Sequence, residues 1–147
     1  MVSIIDSGAS VPLINPNTGR QYEMMESRAS KAGVVYQIAN GDSLPNLGEK
    51  LMAFVTEEGT IRSNASQVAD VASNLQSVRA MLKNKHAVVF DEDGSHAVNK
   101  VTGEVNWITD DGSNCTMKHW IIPPDQVIDV MEAAGFQRQE GLISLKP

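Results

Sequence analysis

Cysteine is almost absent. Cys115 is the only one, so no internal disulfide can form and a Cys-rich zinc site is excluded. The setting this implies is reducing and intracellular, with the cytoplasm as the default. Basic residues are few and scattered: 12 Lys and Arg stand against 18 Asp and Glu, for a net charge of −6. With no cluster of cations to displace counterions from phosphates, nucleic acid is not an expected partner. No apolar run approaches the length of a membrane span, and Met1 leads directly into a short strand without the basic flank and long apolar region of a signal peptide. A membrane is therefore not an expected partner either. His86, His96 and His119 lack metal-ligand spacing. Asp91-x-Asp93-x-Ser95 lacks the later Glu and the flanking helices of a calcium loop. No metal or other cofactor is expected. Ser3, Ser7 and Ser10 stand outside any Gly-x-Ser-x-Gly elbow, which argues against serine hydrolase chemistry.

What remains is a chain of 147 residues, 41% apolar and 20% charged, long enough for one domain with a real core. Its chemistry concentrates at Val2-Ser3-Ile4-Ile5-Asp6-Ser7-Gly8-Ala9-Ser10. Val and Ile favour a buried strand, whereas Asp-Ser-Gly favours a turn away from it. One carboxylate thus stands at a strand end beside a hydroxyl and a bare backbone. Taken alone, Asp-Ser-Gly is most simply an Asx turn.

Short strands follow at hairpin spacing. Val11 to Ile14 closes at the turn Asn15-Pro16-Asn17-Thr18-Gly19, and residues 20 to 31 read as loop with one helical turn. Gly33 to Ala39 reads as a strand broken by Asn40-Gly41, a tight hairpin signal. Lys50 to Thr56 and Thr60 to Val71 pair about Glu57-Glu58-Gly59. From Asn74 to Lys83 the period becomes helical, with Leu75, Val78, Met81 and Leu82 as core positions and Ser77 available as an N-cap. Ala87 to Phe90 is a strand. Ser95 to Lys100, Glu104 to Ile108 and Thr116 to Ile122 form a β-meander in which Trp107 and Trp120 are expected to pair across strands. Asp125 caps a final helix that stops at Gly135, and 141–145 reads as one more short strand. The fold class expected is mainly β, a closed or partly closed barrel-like sheet with one short internal helix and one near the C-terminus.

The order of these features resembles the retropepsin family of aspartic proteases, most closely the protease region of copia-type retrotransposon polyproteins. There, Asp-Ser-Gly-Ala-Ser, a later Ala-Asp/Asn-Gly and an Asn-Leu-Leu-Ser-Val stretch occur in sequence. Here they stand as residues 6–10, as Ala39-Asn40-Gly41 and as Asn74-Leu75-Gln76-Ser77-Val78. The resemblance implies a retropepsin-like core over 1–90, with 91–147 as a β-meander and C-terminal helix extension packed on the same domain. It implies that Asp6 is the catalytic aspartate. Ser7 matches the hydroxyl that ties two active-site loops together across a dimer, Gly8 the glycine that lets substrate backbone approach, and Ala9 the residue that continues the loop. Ala39, Asn40 and Gly41 match the flap over bound peptide. Ser77 stands where many retropepsins have a glycine behind the active-site loop. Where the copia pattern often has His two positions after the second Ser, this chain has Pro12.

Amide hydrolysis by water needs a base and an acid at once. Two carboxylates about 3 Å apart share one proton and supply both. The chain has one Asp-Ser-Gly, so the resemblance implies a homodimer with a twofold-related Asp6 and a peptide or polyprotein substrate. Retropepsins also place strands before the catalytic aspartate, whereas five residues precede Asp6. Those strands come from upstream residues or from the C-terminal extension, or the domain does not dimerise productively. Two other readings stand beside the protease: an inactive retropepsin-like module for dimerisation or peptide binding, and an unrelated β-barrel binding domain.

Overall fold

Val2–Asp6 forms the first strand, β1, with Ser3 and Ile5 buried and the alternate positions facing outward, as a period of two requires. The computed structural model describes residues 1–38 and 41–135, together with one pair of two-residue strands near the C-terminus. After β1 come β2 (Leu13–Ile14) and a single helical turn, α1 (Arg28–Lys31), boxed by reciprocal bonds between Ser27 and Ser30. β3 (Val35–Gln37) and β4 (Ser43–Pro45) make a hairpin apart from the main sheet. β5 (Gly48–Thr56) and β6 (Ile61–Val68) form the long hairpin, paired from Gly48–Val68 to Val55–Ile61. β7 (Asn74–Ser77) runs into α2 (Val78–Lys83). The meander is β8 (His86–Val89), β9 (Ser95–Asn99), β10 (Val105–Asp110) and β11 (Cys115–Ile121). A 3-10 turn at Pro124–Gln126 leads into α3 (Val127–Ala133), and Gly135, at φ +93°, ends it. The strand expected over 141–145 is described only at β13 (Leu142–Ile143), which pairs with β12 (Arg138–Gln139).

Six strands close into a barrel in the order β1, β7, β2, β6, β5, β11 and back to β1. β1 is parallel to β7 and antiparallel to β11. On its other edge β11 changes neighbour partway: Cys115 and Thr116 pair with β10, then His119 to Ile121 pair with β5. One stave of the barrel therefore comes from residues beyond 91, and β8 to β10 extend from it as a flap of sheet.

Local differences from the sequence-based expectations have physical causes. The strand expected over 60–71 stops at Val68, because Ala69 and Val71 turn inward to join Leu13 in an apolar cluster. Of the strand expected over 33–39, the described residues 33–38 form it at Val35–Gln37, and Ala39 lies outside the described residues. In α2, Val78 and Met81 pack toward Ile5, whereas Leu82 lies a further 100° round the helix and is 54% exposed rather than core. Asp125 falls inside the 3-10 turn, and the N-cap of α3 is Gln126, without a side-chain bond. Trp107 and Trp120 do not pair, since β11 has left β10 for β5 by that point. Trp107 meets His96 edge-on at 5.4 Å, and Trp120 sits opposite Val55 with Lys118 over its ring at 5.2 Å.

Apolar packing is divided into three clusters: Ile5, Ile108 and Met117; Leu13, Ala69 and Val71; Ile14, Met52 and Val68. Polar side chains lie between them. Ser3, Ser66 and His119 are buried at positions that alternate with less buried neighbours, and Gln76 is buried beside the equally buried Ser77. Lys50 is only 4% exposed, yet its ammonium donates to the carbonyls of Pro16 and Thr18 at 3.0 Å and of Gly19 at 3.3 Å. That tripod fixes the loop between β2 and α1. Asn46 is a second buried hub: its oxygen accepts from Ser27 Oγ and Gly48 N, and its nitrogen donates to Tyr36 Oη and Gln67 Oε1.

Replacing Lys50 with Met keeps the stem and removes the charged donor, leaving three carbonyls without it. Denaturant unfolding should show a loss of about 2 kcal/mol or more. A loss within experimental error would contradict the tripod. His119 packs edge-on against Phe54 at 4.5 Å, and burial, then the Met1 ammonium and Arg62, push its imidazole down to about 4. An unfolded imidazole protonates near 6.5, so the unfolded chain takes up the proton first and stability falls as pH drops from 6.5 towards 4. In His119→Gln, the stability difference between pH 7 and 4.5 should shrink by about 2 kcal/mol. An unchanged difference would rule this out.

Candidate functional site

Asp6 stands half-buried at the C-terminal end of β1, in register with Ser77 at the end of the parallel β7. The chain then leaves the sheet. Gly8 N–H turns back to donate to Asp6 Oδ1 at 2.7 Å, which closes an Asx turn. A Cβ on Gly8 would sit 3.2 Å from that same oxygen, so the bare backbone permits the tight return. Among the described residues nothing bonds the second carboxylate oxygen. Ser7, Gly8 and Ser10 are exposed and Ala9 is half-buried. One carboxylate is thus held by its own loop with a free oxygen beside an accessible hydroxyl.

Ser77 fastens the loop from behind. Its side chain is buried, and its hydroxyl donates to Ala9 O at 2.7 Å while accepting from Ala80 N at 3.0 Å. A single oxygen therefore caps α2 and grips the loop, joining the catalytic candidate to the helix behind it.

The β3–β4 hairpin is rooted nearby. Tyr36 and Leu44 pack with Val11 and Leu75 around Leu13, the strand reached directly after the Asp6 loop. Its turn is closed by Ile38 N to Asp42 O at 3.0 Å and Gly41 N to Ile38 O at 2.9 Å, with Gly41 at φ +88°. Ala39 and Asn40 lie outside the described residues. The structure thus unites Asp6, Ser7, Gly8, Ala9 and Ser77 in one loop-and-helix unit, and sets Gly41 on a separate hairpin.

A second feature has no precursor in the sequence reading. A cavity of about 610 Å³ lies behind the loop, bounded by Gln76 and Ser77 but not by Asp6. On its wall Arg62 donates to His86 Nε2 at 2.6 Å. Because a guanidinium has no acceptor, that nitrogen accepts, so the proton of His86 is on Nδ1 and is donated to Asn84 O at 2.8 Å. Burial and then Arg62 hold the His86 imidazole below its ordinary pKa, consistent with the neutral form. The Asn106 amide is oriented by its neighbours: its oxygen accepts from Arg62 at 2.7 Å, and its nitrogen donates to Thr56 Oγ1 at 2.7 Å and Glu58 Oε2 at 3.2 Å. Burial lowers the Arg62 pKa, against the opposing fields of Glu104 and Glu58. Alternation along a strand gives no warning of this, since Arg62 and Asn64 read as a solvent face. Among the described residues no group of three or more His, Cys, Asp or Glu side chains is placed to hold a metal ion.

No protein-family model matches the sequence, and no curated protein matches it. Ser77→Ala should remove both bonds of the hydroxyl and lower unfolding free energy by about 2 kcal/mol, from a lost cap and an unpaired carbonyl. A loss below about 0.5 kcal/mol would show that the loop does not depend on Ser77.

Proposed function

We propose that the chain is an aspartic endopeptidase of retropepsin type, working as a homodimer on peptide or polyprotein substrates, as in copia-type elements. One observation carries the reading: the Asp6-Ser7-Gly8 turn sits at the end of a strand paired on both edges, with Ser77 holding Ala9 from behind. Such an anchor keeps one carboxylate in a fixed pose on an accessible surface, as a shared two-carboxylate site requires of each partner. Support for the missing-strand question comes from β11, which fills the edge of β1 that a preceding strand would otherwise occupy.

In the proposed dimer the two Asp6 side chains hold one proton between them. The ionised carboxylate takes a proton from water as it attacks the peptide carbonyl, and the protonated one gives its proton to the carbonyl oxygen. As the C–N bond breaks, the first passes the water proton to the leaving nitrogen and the second takes its own back from the diol. Exposed Ser7 hydroxyls bridge the two loops, and the β3–β4 hairpin covers the substrate. The surface available for association includes Leu82, Val89 and Phe90, exposed apolar side chains on and just beyond the helix and edge strand that follow Ser77.

One observation favours a second reading, a non-proteolytic peptide-binding module: the large cavity lies behind the loop and excludes Asp6. Asp6→Asn separates the two. Asn retains an oxygen that can accept from Gly8 N–H, so the fold should melt unchanged. Cleavage of a peptide mixture at pH 5, followed by mass spectrometry, should fall at least ~1000-fold, because no carboxylate remains to activate water. Equal cleavage by the variant would overturn the protease reading. Saturable peptide binding without cleavage by the parent would favour the module.

A further inference from the structure

The cavity behind the Asp6 loop has the chemistry of a ligand site. Gln76 is only 6% exposed, and among the described residues nothing hydrogen-bonds its side-chain amide, which borders the cavity. The amide opens onto the cavity with its donors and its acceptor unused by the described residues, so it is matched by an occupant with both an acceptor and a donor. Asn64 stands on the same wall. Its oxygen takes the Ser66 hydroxyl at 2.8 Å, and its amide nitrogen has no partner among the described residues. His119, 3% exposed, adds an imidazole whose Nδ1 is likewise unpartnered. Arg62 donates to His86 and Asn106, its Nε is without a partner among the described residues, and it lies in the opposing fields of Glu58 and Glu104; Glu104 accepts from Thr60 Oγ1 at 2.9 Å and borders the same cavity. An anion would meet the Glu104 carboxylate as well as the guanidinium, and a cation the reverse, so the wall favours neither sign. Phe54, Met81 and Met117 supply apolar wall between the polar groups. About 610 Å³ falls within the range of small-molecule pockets.

We infer that this cavity is a binding site for a small uncharged molecule carrying a carboxamide beside an apolar group, held by Gln76 and Asn64 and packed on Phe54 and the two methionines. The site is separate from the Asp6 surface and does not depend on proteolysis. It adjoins the site through β7, since Gln76 pairs with Ile5 and Ser77 with Asp6.

The test is a titration of the ¹⁵N-labelled full chain with N-acetyl-leucinamide, with N-acetyl-leucine as the charged analogue. The expected result is saturable shifts of the Gln76 side-chain amide and the His119 ring, with contacts from the leucine methyls to Phe54. The acid should bind at least ~10-fold more weakly. Gln76→Met, close in volume and lacking the amide, should weaken the amide probe ~10-fold or more with its melting temperature held. If that variant does not fold, the methyl contacts and the acid comparison in the parent chain decide the matter. Shifts that never saturate would show a cavity holding water alone. Equal binding of the acid would assign recognition to Arg62, and unchanged binding by a folded Gln76→Met would remove the amide from the site. Each of these results overturns the inference.

Discussion

The pairing of β1 on both of its edges is the constraint from which the rest follows. Parallel contact with β7 aligns Asp6 with Ser77, and antiparallel contact with β11 closes the ring. Where they meet, the Met1 ammonium donates to His119 O at 2.7 Å and His119 N donates to Met1 O at 2.8 Å, across 118 positions of sequence. So long a closure costs chain entropy before any contact repays it. One edge of the strand that carries Asp6 is therefore supplied from far along the chain, and a truncation after β8 would remove it.

Barrel closure around polar groups explains the uneven core. A lumen filled by Val, Leu and Phe would join the apolar clusters into one. Here Gln76, Asn64 and His119 line the cavity, and Ser3 is buried with its Oγ unpartnered among the described residues. Stability comes instead from the clusters and from saturated hubs. Lys50 meets three carbonyls, and Asn46 uses both lone pairs and both amide protons. Each hub fixes a loop that leads toward or away from the Asp6 region. A polar lumen with space in it also gives the molecule something to bind with, apart from its surface chemistry.

Much of this was legible in local sequence. Asp-Ser-Gly after Ile-Ile marks a strand end and a turn, Glu57-Glu58-Gly59 marks the long hairpin, and Ser77 before Val78 marks a helix start. These depend on neighbours within a few residues. Partnership across the barrel does not. Nothing in the period of Cys115–Ile121 says that it pairs with residues 2–4, nor that it trades β10 for β5 midway and carries Trp120 away from Trp107. The lumen was hidden for a related reason: Arg62, Asn64 and Gln76 occupy inward positions normally held by apolar residues, and alternation assigns such side chains to solvent. Asn46 gave no signal beyond its place in a kink.

A single Asp-Ser-Gly carboxylate on each chain makes association the point on which the proposed function stands. Sedimentation equilibrium across a range of concentrations, with specific activity on a peptide substrate measured at each, tests it most directly. The account predicts specific activity that climbs with dilution reversed, in proportion to the dimer fraction. Constant specific activity from a chain that sediments as a monomer throughout would contradict it.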